Sequence, residues 1–326
     1  MQKIYKHSRI RLVSPKYLLT WALFVILWLI GQLSHRFAIK AGNLIGSLLY
    51  PLFPKRTYII KTNLALCFRD KTDHEIDSLA RQNFNALIVG AFETAIAWYA
   101  SNRTFSKMNS SFSIENEHIL QEYINKDKPL LLVAPHCVSQ ELVSRYLVKK
   151  YNYIPVFRHL NNPVANYIMQ KARLKIYNDV IIKSNPHRII KLLKEQKAPI
   201  ALLPDQDFGR KRSVFAHFFN IPTATTTSLS KYKKLTDCNI VPVSYSRKIN
   251  TSDGCFEKFI IKIHPPLMIT GQDQVNDATI FNHVLEEIIK KDISAYFWIA
   301  KKFKTRPLGE EKIYNYRSKI NSSVKN

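Results

Sequence analysis

A hydroxyl is a poor nucleophile near neutral pH. Moving a group onto it calls for a general base, with a carboxylate that fixes the base's tautomer and steadies its cation. The run H-C-V-S-Q-E offers both, because Glu141 follows His136 by five residues. Of the ten histidines in the chain only His136 has an acid at that spacing, and it is also the one directly after an apolar run and before a helical one. That position puts the histidine on a strand-to-helix turn and the glutamate in the first helical turn, so the two side chains can meet across it. The bland alternative is a capping histidine beside a solvated glutamate.

Three other residues share the setting. Arg158 follows the apolar run YIPVF and Asp205 follows PIALLP, just as His136 follows LLLVAP. Asp205 and Asp207 flank Gln206, where acids either cap a loop or orient arginines. Arg173 stands between Lys171 and Lys175 in a helical stretch, and a guanidinium there could grip an anion or simply face solvent. Ser213 closes the basic run GRKRS, as an anion contact or as part of a solvated loop.

The elements that must hold these residues can be read from periodicity. Strands are expected at 129–134, 153–157, 180–183 and 199–203, alternating with helices at 138–150, 163–177 and 186–195. Strand, helix, strand in succession predicts an α/β fold with a mainly parallel, mixed sheet flanked by helices. The loops leaving the carboxyl ends of its strands then form the binding crevice, and they gather a base, a cation and a carboxylate on one edge. Two further strands, 240–246 and 256–263, are expected to be possible antiparallel partners, followed by a helix at 275–291.

Before this core, residues 34–127 read as a helical prelude. Gly42, Gly46 and the P-L-F-P stretch at 51–54 break the pattern, and a polar amphipathic run covers 72–99. Residues 17–33, YLLTWALFVILWLIGQL, hold no charge and form a short transmembrane anchor candidate behind a basic tail at 1–16. Basic residues on both sides leave its orientation open; a cleaved signal peptide, for which no small-residue cleavage site follows before His35 and Arg36, and a peripheral or partly inserted helix are the alternatives. The core is assigned to 128–310, with a C-terminal tail at 311–326.

With 326 residues, 46% hydrophobic and 12% aromatic, the chain can bury a sizeable core, which excludes disorder and fibrous repeats. A formal charge of +25 calls for partners rich in phosphate or carboxylate: nucleic acid, anionic membrane or acidic protein. No nucleic-acid motif accompanies it. Cys67, Cys137, Cys238 and Cys255 show neither C-x-x-C nor zinc spacing, which points to a reducing compartment and to no metal site.

Several ordered motifs accompany H-x-x-x-x-E: NLALCF at 63–68, FRHLNNP at 157–163 with Arg173 downstream, LPDQDFG at 203–209, SVFAHFF at 213–219 and FKTRPLGE at 303–310. Together they resemble the lipid A biosynthesis (late) acyltransferase family, within the wider lysophospholipid acyltransferase-like superfamily, from the anchor to about Glu310. The resemblance implies a glycerolipid acyltransferase-like fold. It also implies transfer of a fatty acyl group from acyl carrier protein to a hydroxyl of an acyl chain on a Kdo-bearing lipid A precursor. The implied setting is the bacterial inner membrane, with the catalytic domain on the cytoplasmic side and neither metal nor other cofactor. By the same resemblance His136 is the base and Glu141 its partner, while Arg158, Arg173, Asp205 and Ser213 are candidates for binding the anionic glycolipid acceptor or the thioester carbonyl. A lysophospholipid or other glycolipid acyltransferase is the nearest alternative. Asn220 and Ser228 stand where the family leads one to expect glycine, His217 where proline is expected, and Ala300-Lys301-Lys302 where a His-Arg-Arg run is expected. These departures lie outside the expected catalytic pair and bear on the shape of the acceptor site.

Overall fold

The computed structural model describes residues 12–125, 128–196, 198–249 and 256–316. Lys3, Lys6, Arg9, Arg11 and Cys255 lie outside the described residues, as do the last ten positions of the C-terminal tail.

The apolar N-terminal segment folds as α1 (Leu18–Ile30), a helix of 13 residues. At 1.5 Å per residue that is about 20 Å, short of the roughly 30 Å of a bilayer's hydrocarbon. The expected spanning anchor is corrected accordingly: no described helix is long and apolar enough to cross a membrane. The chain turns through Gly31–Ser34, and the Ser34 hydroxyl accepts from the Phe37 amide to cap α2 (His35–Leu49). Gly42 and Gly46 do not break this helix. They lie where α2 presses on a later helix, and a Cβ would sit 2.9 Å from Val89 at one and 2.7 Å from Asn85 at the other. Tertiary approach outweighs the glycines' poor helix propensity here.

Pro54 opens α3 (Pro54–Cys67) at a position where a missing N–H costs nothing. Thr72 and Glu75 form a capping box at the start of α4 (Asp73–Tyr99), the longest helix described. A short α5 (Asn102–Ser106) leads to β1 (Phe112–Glu115) and α6 (Glu117–Asn125). The prelude therefore contributes a strand to the sheet as well as helices.

The core alternates β2 (Leu130–Val133), α7 (Gln140–Tyr151), β3 (Ile154–Phe157), α8 (Pro163–Arg173), β4 (Ile181–Ile182), α9 (Pro186–Glu195) and β5 (Ile200–Leu202). After them come the hairpin strands β6 (Ser213–Phe218) and β7 (Ile221–Thr226), α10 (Ser228–Thr236), β8 (Asn239–Ile249), β9 (Phe256–Ile263) and α11 (Gln274–Lys291). Seven strands form one sheet in the order β1-β9-β8-β2-β5-β3-β4. Pairing is parallel except between β8 and β9, so β9 and β1 run against the rest.

The central strands are apolar on both faces because helices cover both. Leu131 and Val133 point into a core with α9, α10 and α11, while Leu130 and Leu132 point into another with Phe92, Ile96 and Trp98 of α4 and Leu142 of α7. Outside the sheet, β6 and β7 form a hairpin whose turn puts Phe219 and Asn220 at φ +48° and +59°. Asparagine tolerates that left-handed region better than most residues, so it serves where glycine is expected.

Candidate active site

β2 and β5 are parallel neighbours, with Val133 opposite Leu202. Each then runs through a proline into a polar residue, A-P-H and L-P-D, so His136 and Asp205 leave the sheet side by side. The His136 amide donates to Asp205 Oδ2 at 3.0 Å and the ring Nδ1 pairs with Oδ1. Asp205 is only 1% exposed. Burial pushes its carboxyl up, but the His136 ring and amide and the Lys302 ammonium outweigh that and hold it at about 2. An ionised Asp205 accepts a hydrogen bond from Nδ1–H, which fixes the proton there and leaves Nε2 as the basic nitrogen.

The surroundings brace this pair. Phe297 N donates to the His136 carbonyl at 2.9 Å and Val138 N to the Ala295 carbonyl at 2.8 Å, so segment 295–297 backs the turn. The Lys302 ammonium donates to the Asp205 carbonyl. Lys302, one of the residues that departs from the family pattern, thus touches Asp205, though neither His136 nor Glu141. Tyr296 lies against Asp205, and burial together with that charge raises its hydroxyl well above its ordinary value. His136, Asp205, Gln206, Tyr296, Phe297 and Lys302 line a cavity of about 200 Å³. Burial and nearby carboxylates hold the Cys137 thiol well above its usual value, so this neighbour of His136 stays protonated and is a poor nucleophile.

Glu141 sits elsewhere than expected. It occupies the first turn of α7 as the spacing predicts, but its carboxylate accepts from Trp98 Nε1 at 3.0 Å and from Arg173 Nε and Nη2 at 3.2 and 2.5 Å. The expected contact between His136 and Glu141 is corrected to two separate pairs, His136 with Asp205 and Arg173 with Glu141. The turn explains the separation, since Ser139 between them takes a left-handed conformation, φ +68°, and starts α7 toward α4. Arg173 also lies 3.6 Å over the Phe157 ring. Held on both sides, it is not a free cation awaiting phosphate.

Arg158 is exposed at the carboxyl end of β3 and has no ion pair among the described residues. Phe157 pairs with Ile182, so Arg158 stands level with Lys183, whose ammonium lies 3.5 Å over Phe208 of the DQDFG loop. Burial, and then the charges of Arg158 and Arg212, lower Lys183 to about 8. Sequence reading missed Lys183. Ser213 begins β6 with its hydroxyl covered and without a hydrogen bond, and it does not line the His136 cavity. Asp207 ties the loop to FKTRPLGE, accepting from the Thr305 amide at 2.6 Å and its hydroxyl at 2.9 Å. Among the described residues no group of three or more His, Cys, Asp or Glu could hold a metal ion.

Comparison with known proteins places the chain in a family. The profile described as bacterial lipid A biosynthesis acyltransferase matches residues 5–305. The chain is 29% identical over 310 residues to a lipid A biosynthesis palmitoleoyltransferase of Escherichia coli (strain K12), covering 95% of this chain and 98% of that one. It is 29% identical to a lipid A biosynthesis lauroyltransferase of the same organism, over 91% of this chain and 95% of that one. It is 29% identical to a lipid A biosynthesis acyltransferase of Haemophilus influenzae (strain ATCC 51907 / DSM 11121 / KW20 / Rd), over 90% and 93%.

Proposed function

The chain belongs to the bacterial lipid A biosynthesis acyltransferase family, and from that membership we propose that it transfers a fatty acyl group from acyl carrier protein to a hydroxyl of a lipid A precursor. The observation that carries this reading is the His136 imidazole seated on the buried, ionised Asp205 at the carboxyl edge of the sheet.

Nε2 of His136 takes the proton of the acceptor hydroxyl as the oxygen attacks the thioester carbonyl carbon. A C–O bond forms and the carbonyl electron pair moves to its oxygen. Collapse of that adduct breaks the C–S bond, and the imidazolium returns its proton to the leaving sulfur as a thiol. Asp205 keeps the ring in the productive tautomer and steadies its cation, without itself taking the proton. Arg158, Lys183 and Arg212 stand on the same edge without an ion pair among the described residues, and they suit an anionic acceptor. Arg173 and Glu141 position each other beside the turn.

The membrane is part of this reading. Leu19, Leu23 and Trp28 of α1 and Phe37, Leu44 and Leu48 of α2 are between 51% and 84% exposed, and Leu52 just beyond is 70% exposed. Lys16, Arg36, Lys40, Lys55 and Arg56 accompany them. An apolar face with basic neighbours suits insertion into the interface of an anionic leaflet. Both helices then lie on the cytoplasmic side of the inner membrane with the catalytic face, and neither crosses it. Mass spectrometry of lipid A from cells with and without the intact protein tests the function. One added fatty acyl group in its presence is the expected result, and identical lipid A in both would refute it.

A further inference from the structure

The turn that carries His136 is gripped from behind by charges that acyl transfer does not use. Glu93 of α4 is fully buried, and its Oε1 lies 3.1 Å from His35 Nε2 and 3.4 Å from Arg247 Nε. Arg247, on β8, donates from Nε to the Ser139 hydroxyl at 3.0 Å and from Nη2 to the Ala86 carbonyl at 3.2 Å. Burial works against the Glu93 charge, but Arg247, His35 and Ser139 outweigh it and leave the carboxyl below its usual range.

Ser139 is the residue that needs holding. It lies three positions after His136, is 4% exposed and has φ +68°, a conformation that costs an L-residue free energy. That single torsion turns the chain from β2 into α7. α4 approaches the same spot so closely that a Cβ on Gly90 would lie 3.1 Å from Val138. A strained torsion persists only where its surroundings over-determine it, and such torsions gather at functional sites. A buried ion pair is in turn a poor choice for stability alone, because well-packed apolar residues often do as well.

We propose that Arg247, seated on Glu93, is a positioning residue for His136: by holding the Ser139 hydroxyl it keeps the turn in the left-handed conformation that aims the imidazole into its cavity. This rests on His136 being the general base. Arg247 does not line the His136 cavity, so its loss should lower turnover and leave substrate affinity alone.

The test uses the full-length protein in detergent, with acyl-carrier-protein thioester and lipid A precursor varied in turn. Ser139→Ala is the key variant, since alanine loses the hydroxyl that Arg247 holds yet keeps the cost of the left-handed conformation, which is then left without its anchor. Arg247→Lys keeps a charge for Glu93 but loses the planar fork. Each should lower kcat about tenfold with both KM values little changed, and the double variant should fall no further than either single, because both cut the same link. Wild-type kcat in Ser139→Ala, or single losses that multiply in the double variant, would overturn the proposal. His136→Ala separates the premise: if it turns over normally the base assignment fails, whereas a dead His136→Ala beside normal Ser139→Ala and Arg247→Lys sinks the positioning role alone.

Discussion

His136 and Asp205 stand level with one another, each three residues beyond a register pair, Val133 on β2 and Leu202 on β5. The sheet itself sets their contact, and the helix that carries Glu141 has no part in it. Loss of the Asp205 carboxylate should therefore act on turnover through the imidazole. Asp205→Asn is expected to lower kcat about 10²–10⁴-fold, as the amide no longer fixes Nδ1–H or steadies the cation. Steady-state kinetics on the folded variant would show this, and a kcat within twofold of wild type would dissociate Asp205 from the base.

Glu141 and Arg173 should behave as one unit. Removing either leaves the other charge largely buried, a loss of about 3–5 kcal/mol when a buried pair is broken. Denaturant unfolding of Glu141→Ala, Arg173→Ala and the double variant should give a coupling energy well above zero, with the double variant more stable than the sum of single losses predicts. Strict additivity would mean that the pair is not formed in solution.

Acid stability offers a further check on Asp205. Its folded carboxyl, at about 2, lies below the ordinary 3.8, so the group contributes stability above pH 4 that is lost as the pH falls toward 2. A carboxyl held that far down contributes about 2 kcal/mol. Between pH 4 and 2 wild type should lose stability more steeply than Asp205→Asn; parallel curves would contradict an ionised, paired Asp205.

Lys183 carries its charge below about pH 8 and loses it above. The KM for an anionic acceptor should rise between pH 7 and 9 in wild type, while Lys183→Met should begin high and stay flat across that range. Equal slopes in the two proteins would remove Lys183 from the acceptor site.

Much of the architecture was legible in the sequence because apolar runs and proline-opened helices mark it locally. LLLV, IPVF and the helices beginning at Pro163 and Pro186 fall close to where periodicity puts them. β1 was not legible, since FSIE is short and half polar and becomes a strand only by pairing with β9. The hairpin of SVFAHF with IPTATT was likewise hidden in a motif. The anchor was misjudged for a related reason: hydropathy counts apolar residues, but Gly31–Ser34 turns the chain and α4 receives α2. The partner of His136 depends on strand order. Glu141 is near in sequence, whereas Asp205 comes alongside only because β5 inserts between β2 and β3. The repeated A-P-H and L-P-D endings were the available signal.

The most direct measurement is the mass of a purified lipid A precursor after incubation with acyl-carrier-protein thioester and wild-type, His136→Ala, Asp205→Asn or Glu141→Gln protein. With His136 on Asp205 as the reacting pair, wild type should add one fatty acyl chain, His136→Ala and Asp205→Asn should add almost none in the same time, and any Glu141→Gln that remains folded should retain more turnover than either. Full acyl addition by Asp205→Asn, with none by folded Glu141→Gln, would contradict that pairing and return the imidazole to Glu141.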